Sequence, residues 1–398
     1  MRGHRSIRAI FLVGALLGAA VWAAVALASS PTTIFSVPGN VVVACSSSSH
    51  CTAGNEAGEV VTFNPASPGK PKASVVRPAA SHFGIEGIAC PSASQCTATL
   101  ETYATSNAGA VTFNPAAPGT PTPTTFAGTD GSWRAIACPS VSQCTAIGDV
   151  VGAGVESGEE VTFNPESSAT ATPSAIGGEL NEVACPSVSE CTAVGVGGVE
   201  ITFNPTALGT PASATLGGGI DLTGVACPSV SQCTAVGEQL GGTAGTEVTF
   251  NPGSPGAPTS ASIANDGASA VACPSENRCS ALVSVLGAEN DGMEVTFNPA
   301  SPGKPTPTRI GGGIDSARSI ACPSSSQCTA AGVHTTPPSV GQEVTFNPAS
   351  PAGETWKSSR CKSTYKQWSR AHKHATKAQK VAEAKALRSQ HDCPASSV

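Results

Sequence analysis

The residue type best placed to do chemistry in this chain is cysteine. Sixteen occur in 398 residues. Fourteen of them fall into pairs six apart: Cys45 with Cys51, Cys90 with Cys96, Cys138 with Cys144, Cys185 with Cys191, Cys227 with Cys233, Cys273 with Cys279 and Cys322 with Cys328. Metal binding would need tighter spacing with histidine or further cysteine close by, and a six-residue step without a neighbouring His does not supply it. A disulfide needs only an oxidising compartment and a chain that folds back on itself, and an even count of cysteines fits that reading. Each bridge would close a seven-residue loop, worth roughly 2 kcal/mol by chain entropy.

Charged and polar residues recur as well. Four positions before each first cysteine stand Val41, Glu86, Arg134, Asn181, Thr223, Ser269 and Arg318. The last six are polar and of five different kinds, the variety a ligand mouth requires, and they form the candidate binding set. The competing reading is a row of solvated residues at the start of a strand. A second row, Glu160, Glu200, Glu247, Glu294 and Glu343, precedes five Val/Ile-Thr-Phe runs. Its uniformity points to a structural hydrogen bond or a solvated edge. A shared calcium site would need several oxygens around one ion. No metal and no cofactor are expected.

Catalytic motifs are scarce. There is no Gly-x-Ser-x-Gly elbow and no His-Glu-x-x-His pair. His82 and His334 have no acid at a recognisable spacing, and Glu86, close after His82, is the best remaining acid candidate. An enzyme is the less favoured class.

These groups are carried by a repeat. The first cysteine of each pair recurs after 45, 48, 47, 42, 46 and 49 residues. Each pair is followed by Val/Ile-Thr-Phe-Asn-Pro, ending at Pro65, Pro115, Pro165, Pro205, Pro252, Pro299 and Pro348. One unit reads as four strands: A is Val/Ile-Ala-Cys, B is Cys-Thr-Ala-x-Gly, C is Val-Thr-Phe, and D is a Thr/Ala/Ser-rich run such as residues 306–310. β-branched residues within the runs and Pro, Gly and Ser between them favour strands. Four strands in about 45 residues is the size of a propeller blade. D-like runs follow the first six units but not the seventh, and residues 32–36, ahead of the first strand A, have D character. The prediction is an all-β, seven-bladed β-propeller of four-stranded blades closed by its N-terminal strand. An open solenoid would need end caps, and the N-terminal side offers none.

The pattern Cys-Pro-Ser-x-Ser-x-Cys-x-Ala-x-Gly, read at residues 138–148 and 227–237, resembles that of secreted bacterial β-propeller repeat proteins, themselves distantly similar to bacterial neuraminidase repeat propellers. The resemblance covers roughly residues 31–353 and implies fold, not activity. The neuraminidase-type Asp box is absent, and Val-Thr-Phe-Asn-Pro takes its place. A neuraminidase-like site would want clustered arginines and a tyrosine nucleophile, whereas residues 29–353 hold five Arg and one Tyr, Tyr103. A propeller lyase of the streptogramin type would want a His with an acid and a metal.

The ends differ from the ring. Arg2, Arg5 and Arg8 precede an uncharged apolar run at residues 10–28, which ends in Ala26-Leu27-Ala28. That is the form of a signal peptide cleaved after Ala28, and its length also suits a retained membrane anchor. Either outcome puts the ring outside the cytoplasm, extracellular or at the cell surface. Residues 354–398 carry ten Lys/Arg against three acids, while residues 29–353 carry eight against twenty-four, leaving the ring at −16. Tyr365, Trp368, Ala371, Ala375, Ala378 and Ala382 recur at helical spacing, so the tail is expected to be a basic helix or helical hairpin. The spacing leaves the pairing of Cys361 with Cys393 open.

The acidic ring argues against nucleic acid. The monotonous A/B and C/D turns lie on one face, the variable B/C and D/A loops on the other, and variable loops on a rigid ring are where binding belongs. The expectation is a monomeric, exported binding scaffold whose variable face meets a protein or glycan. Its tail would contact anionic envelope polymer or lipid headgroups. The alternative is an extracellular propeller hydrolase or lyase acting on a carbohydrate or small molecule.

Overall fold

The computed structural model describes residues 31–349, except 38, 77–82, 103–108, 128–131, 153–154, 242, 285–291, 311–313 and 336, together with Thr376, Gln379 and Lys380. The N-terminal segment, His82, Tyr103, Cys361, Cys393 and nearly all of the basic tail lie outside the described residues. Among those described, no helix is long and apolar enough to cross a membrane.

Residues 31–349 form seven four-stranded antiparallel sheets. Blade 3 shows the plan: strand A is Ser132–Ser140, B is Gln143–Gly152, C is Val155–Phe163 and D is Ser174–Ala175. Blade 7 is assembled from both ends of the chain. Ser316–Ser324, Gln327–His334 and Val340–Phe346 supply A, B and C, and Thr32–Phe35 supplies D, with Thr32 opposite Glu343. The expected closure by the N-terminal strand is thus what the fold uses. Outer strands are shorter than the sequence suggests, with residues 306–310 reduced to Thr308–Arg309. Pro305 and Pro307 have no amide to donate, which confines pairing to the residues beyond them.

Alternation in the B strand builds the core. In Cys-Thr-Ala-x one face carries Cys and Ala, and the other carries Thr and x. Cys144 and Ala146 are fully buried with Trp133, Val161 and Phe163 in one cluster, while Ile147 joins the cluster of blade 4. Packing is therefore a circle of seams between facing blades rather than one deep interior. Blades radiate, so the seams widen outward. Small Ala on strand B and a buried Phe at the end of strand C fit that wedge.

The glycine that ends the motif has a backbone cause. Strand A carries a bulge between Trp133 and Ala135, and a Cβ on Gly148 would collide with the Ser132 carbonyl oxygen. Gly195 meets the Glu179 carbonyl oxygen in the same way. Only a residue without a side chain permits that approach.

All seven expected disulfides are formed. Cys45 is bonded to Cys51, Cys90 to Cys96, Cys138 to Cys144, Cys185 to Cys191, Cys227 to Cys233, Cys273 to Cys279 and Cys322 to Cys328. Each joins the two ends of an A/B turn within one blade, and among the described residues no cysteine is free. The two halves of a bridge differ in setting. The strand B members Cys51, Cys96, Cys144, Cys191, Cys233, Cys279 and Cys328 are fully buried in the seams, whereas the strand A members, such as Cys45 and Cys138, are only half-buried. Each staple therefore ties a turn near the surface to the packed sheet beneath it. Such a set fits an oxidising, extracellular environment. Blade 7 locks to blade 1 where the Val43 amide donates to Ser319 Oγ at 3.0 Å and Gln327 Nε2 donates to the Ser48 carbonyl at 2.8 Å.

Candidate functional site at the channel mouth

The bulge in strand A falls on the position four before the first cysteine. Register skips Arg134 in blade 3, Asn181 in blade 4, Thr223 in blade 5, Ser269 in blade 6 and Arg318 in blade 7, and it skips Glu86 and Gly87 in blade 2. Val41 of blade 1 stays in register opposite Asn55. A bulge re-aims the extra side chain, so the six polar candidates share one cause of orientation.

The structure divides these six by task. Asn181 Nδ2 donates to the Leu222 carbonyl at 2.8 Å, Thr223 Oγ1 to the Ala268 carbonyl at 2.7 Å, and Ser269 Oγ to the Ala317 carbonyl at 3.3 Å. Each of the three reaches the next blade, and none lines the central cavity. Glu86, Arg134 and Arg318 do line it. This cavity, of about 200 Å³, takes lining residues from every blade.

The two arginines are held differently. Arg134 Nη1 donates to Asn181 Oδ1 at 3.0 Å, and Nη2 lies 3.2 Å from Asp149 Oδ2. Asp149 also accepts the Leu180 amide at 3.0 Å, which fixes the pair in the loop framework. Arg318 is exposed, its Nε donates to Ser316 Oγ at 3.3 Å, and no carboxylate lies within 4 Å of it among the described residues. Its charge is available to a ligand.

A fourth charged group lines the cavity, Glu182. Burial pushes its carboxyl from 4.5 up to about 7, against a lowering hydrogen bond from the Val183 amide. The sequence held a signal for it. Three positions before each first cysteine stand Val42, Gly87, Ala135, Glu182, Gly224, Ala270 and Ser319, and the one acid in a row of small or apolar residues is a departure that the fold does not require.

His334, expected to stand without an acid, has one. Its Nδ1 lies 3.4 Å from Asp315 Oδ2, and the same oxygen accepts the Thr335 hydroxyl at 2.6 Å. Burial alone would raise the Asp315 carboxyl, but the Thr335 hydroxyl and amide and the neighbouring His334 hold it below its ordinary value. The partners are far apart in sequence because they meet across the A/B hairpin of blade 7, beyond the reach of a short motif.

The five repeated glutamates do not converge on an ion. They sit one per blade, almost fully buried, and each accepts the hydroxyl two residues on, as Glu160 does from Thr162 at 2.8 Å and Glu247 from Thr249 at 2.8 Å. That outcome matches the structural reading of their repetition. Among the described residues, no group of three or more His, Cys, Asp or Glu comes together as a metal cluster would.

No protein-family model matches the chain, and no curated protein matches it as a relative. Likeness to known propellers therefore rests on the blade plan and the repeat pattern.

Proposed function

We propose that the protein is an exported binding scaffold that takes a protein or glycan ligand through an anionic group at the channel mouth. Arg318 is the exposed cation of that site, Arg134 the fixed one, and Glu86 and Glu182 select against a second negative charge. One observation carries the reading: the strand A bulges put charged residues of three blades around one cavity while the other bulge residues are used to bind blade to blade. Export is supported by the seven disulfides and by the basic and apolar character of residues 1–28. The ten Lys/Arg of residues 354–398 suit retention on anionic envelope polymer or lipid headgroups.

The test is capture of anionic wall glycans and secreted proteins by the full chain. Arg318→Ala is expected to weaken capture at least tenfold without lowering stability, and Glu86→Ala and Arg134→Ala to change it as well. Unchanged capture by all three variants would overturn the site. A second reading, an extracellular hydrolase or lyase, draws on the His334–Asp315 pair, which holds an imidazole as a general base is held. Turnover of a polysaccharide or ester that is lost in His334→Ala would favour it.

A further inference from the structure

A repeat supplies its own control, because seven copies of a position show what the fold needs. Two positions recur at the seams between blades, and the first of them clasps neighbouring blades. Immediately before the second cysteine, Gln95 Nε2 donates to the Val141 carbonyl at 2.8 Å, Gln143 to Val188 at 2.8 Å and Gln232 to Glu276 at 2.6 Å. Arg278 does the same to Ser325 at 2.9 Å, and Gln327 to Ser48 at 2.8 Å. The second position is the buried glutamate of strand C. His50 and Glu190 interrupt the first series, and Val60 and Ala110 the second. His50 and Val60 belong to the same blade, so the seam between blades 1 and 2 is the one at which both recurring residues are replaced.

A cavity of about 470 Å³ opens there, and His50 and Val60 both line it. The volume lies within the range of small-molecule sites, about 300–1,000 Å³. Phe63 and Pro115 extend its apolar wall, while Lys72 and Ser74 face it from the outer part of blade 1. Among the described residues no acid is part of its lining, although the ring as a whole is strongly acidic. Lys72 breaks the pattern too, since blade 2 has Thr122 at the matching place. Its ammonium is exposed and has no carboxylate within 4 Å among the described residues. Ser49 Oγ lies 2.9 Å from His50 Nδ1, which leaves Nε2 as the ring nitrogen open to a ligand.

We propose that this seam is a second binding site, distinct from the channel, for a small carboxylate with an apolar flank. Lys72 and His50 meet the carboxylate, and Val60, Phe63 and Pro115 meet the body. The site lies among the A/B and C/D turns, the face whose sequence is otherwise monotonous.

The full chain is titrated with glucuronate and benzoate, and with glucose and benzyl alcohol as neutral counterparts, by ligand-observed saturation-transfer NMR. Saturable binding is expected for at least one carboxylate and for neither neutral compound. Lys72→Thr is expected to weaken it at least tenfold. The double variant His50→Gln with Val60→Glu, which restores the repeat residues and closes the seam, is expected to abolish it while the melting temperature holds or rises. Arg318→Ala is expected to leave it unchanged. Absence of binding, equal binding of the neutral compounds, survival in the seam-closing variant, or loss in Arg318→Ala would each overturn the proposal.

Discussion

The Thr202 hydroxyl donates to Glu200 Oε1 at 2.5 Å, two residues back along the same strand and on the same face. Thr202 in turn lies 2.9 Å from the Thr192 hydroxyl on the adjacent strand B. The relationship recurs from blade 3 to blade 7, and it places a carboxyl in each of five seams between apolar sheets. Burial is the dominant influence on all five. It pushes Glu160, Glu200, Glu247 and Glu343 from 4.5 to about 7 and Glu294 to about 8, with the Thr hydroxyl lowering each in part.

With these raised values the ring is expected to be more stable in mild acid. An unfolded chain ionises these carboxyls near 4.5, so from there upward the unfolded state releases protons that the ring retains, and stability falls until the folded carboxyls ionise between about 7 and 8. Shifts of this size correspond to at most about 3 to 5 kcal/mol per carboxyl, and relaxation reduces them. Asp315 has the opposite sign, its contribution being lost only in stronger acid. Denaturant unfolding with disulfides intact is expected to give a higher midpoint at pH 5 than at pH 8, and Glu294→Gln to flatten the difference. Equal or greater stability at pH 8 would show that these five carboxyls do not govern the ring's response to pH.

Ring closure yields a second expectation. Phe35, on the strand that completes blade 7, is 1% exposed and packs with Ile34, Val41 and Val43 at the junction with blade 1. Truncating a buried Phe to Ala costs about 3 to 5 kcal/mol. Phe35→Ala is expected to lower the unfolding midpoint by more than Val75→Ala, whose side chain is exposed on another outer strand. Similar midpoints for the two would mean that the N-terminal strand does not hold the ring shut.

Architecture was legible in the sequence because repetition averages over local ambiguity. A single Cys-Thr/Ser-Ala run is a weak strand signal, whereas seven of them in step with seven Val/Ile-Thr-Phe runs set blade number, strand order and disulfide pairing. The roles of Glu86, Arg134, Asn181, Thr223, Ser269 and Arg318 were less legible. Their shared position follows from the bulge, but whether each side chain faces the cavity or the next blade depends on its length and on which carbonyl lies within reach. Asn181 and Thr223 find one, and Arg318 lines the cavity instead. Contacts across a hairpin, such as Asp315 with His334, leave no short spacing to read. Departures from the repeat do leave a trace in the sequence, as Glu182 does among small residues and Val60 with His50 in one blade, but what each departure opens depends on which neighbouring blade it faces.

Glu182 gives the channel a pH dependence of its own. Its carboxyl titrates at about 7 because the cavity wall removes it from water, and Arg134 and Glu86 line the same space. Below pH 7 the group is neutral and leaves the arginines to attract an anion, while above pH 7 its charge repels one. Capture of an anionic ligand at the channel mouth is expected to tighten several-fold from pH 8 to pH 6. Glu182→Gln, neutral at every pH, is expected to bind at pH 8 as the parent does at pH 6. A parent whose channel affinity is the same at both pH values, or a Glu182→Gln variant that keeps the full pH dependence, would place the controlling charge elsewhere.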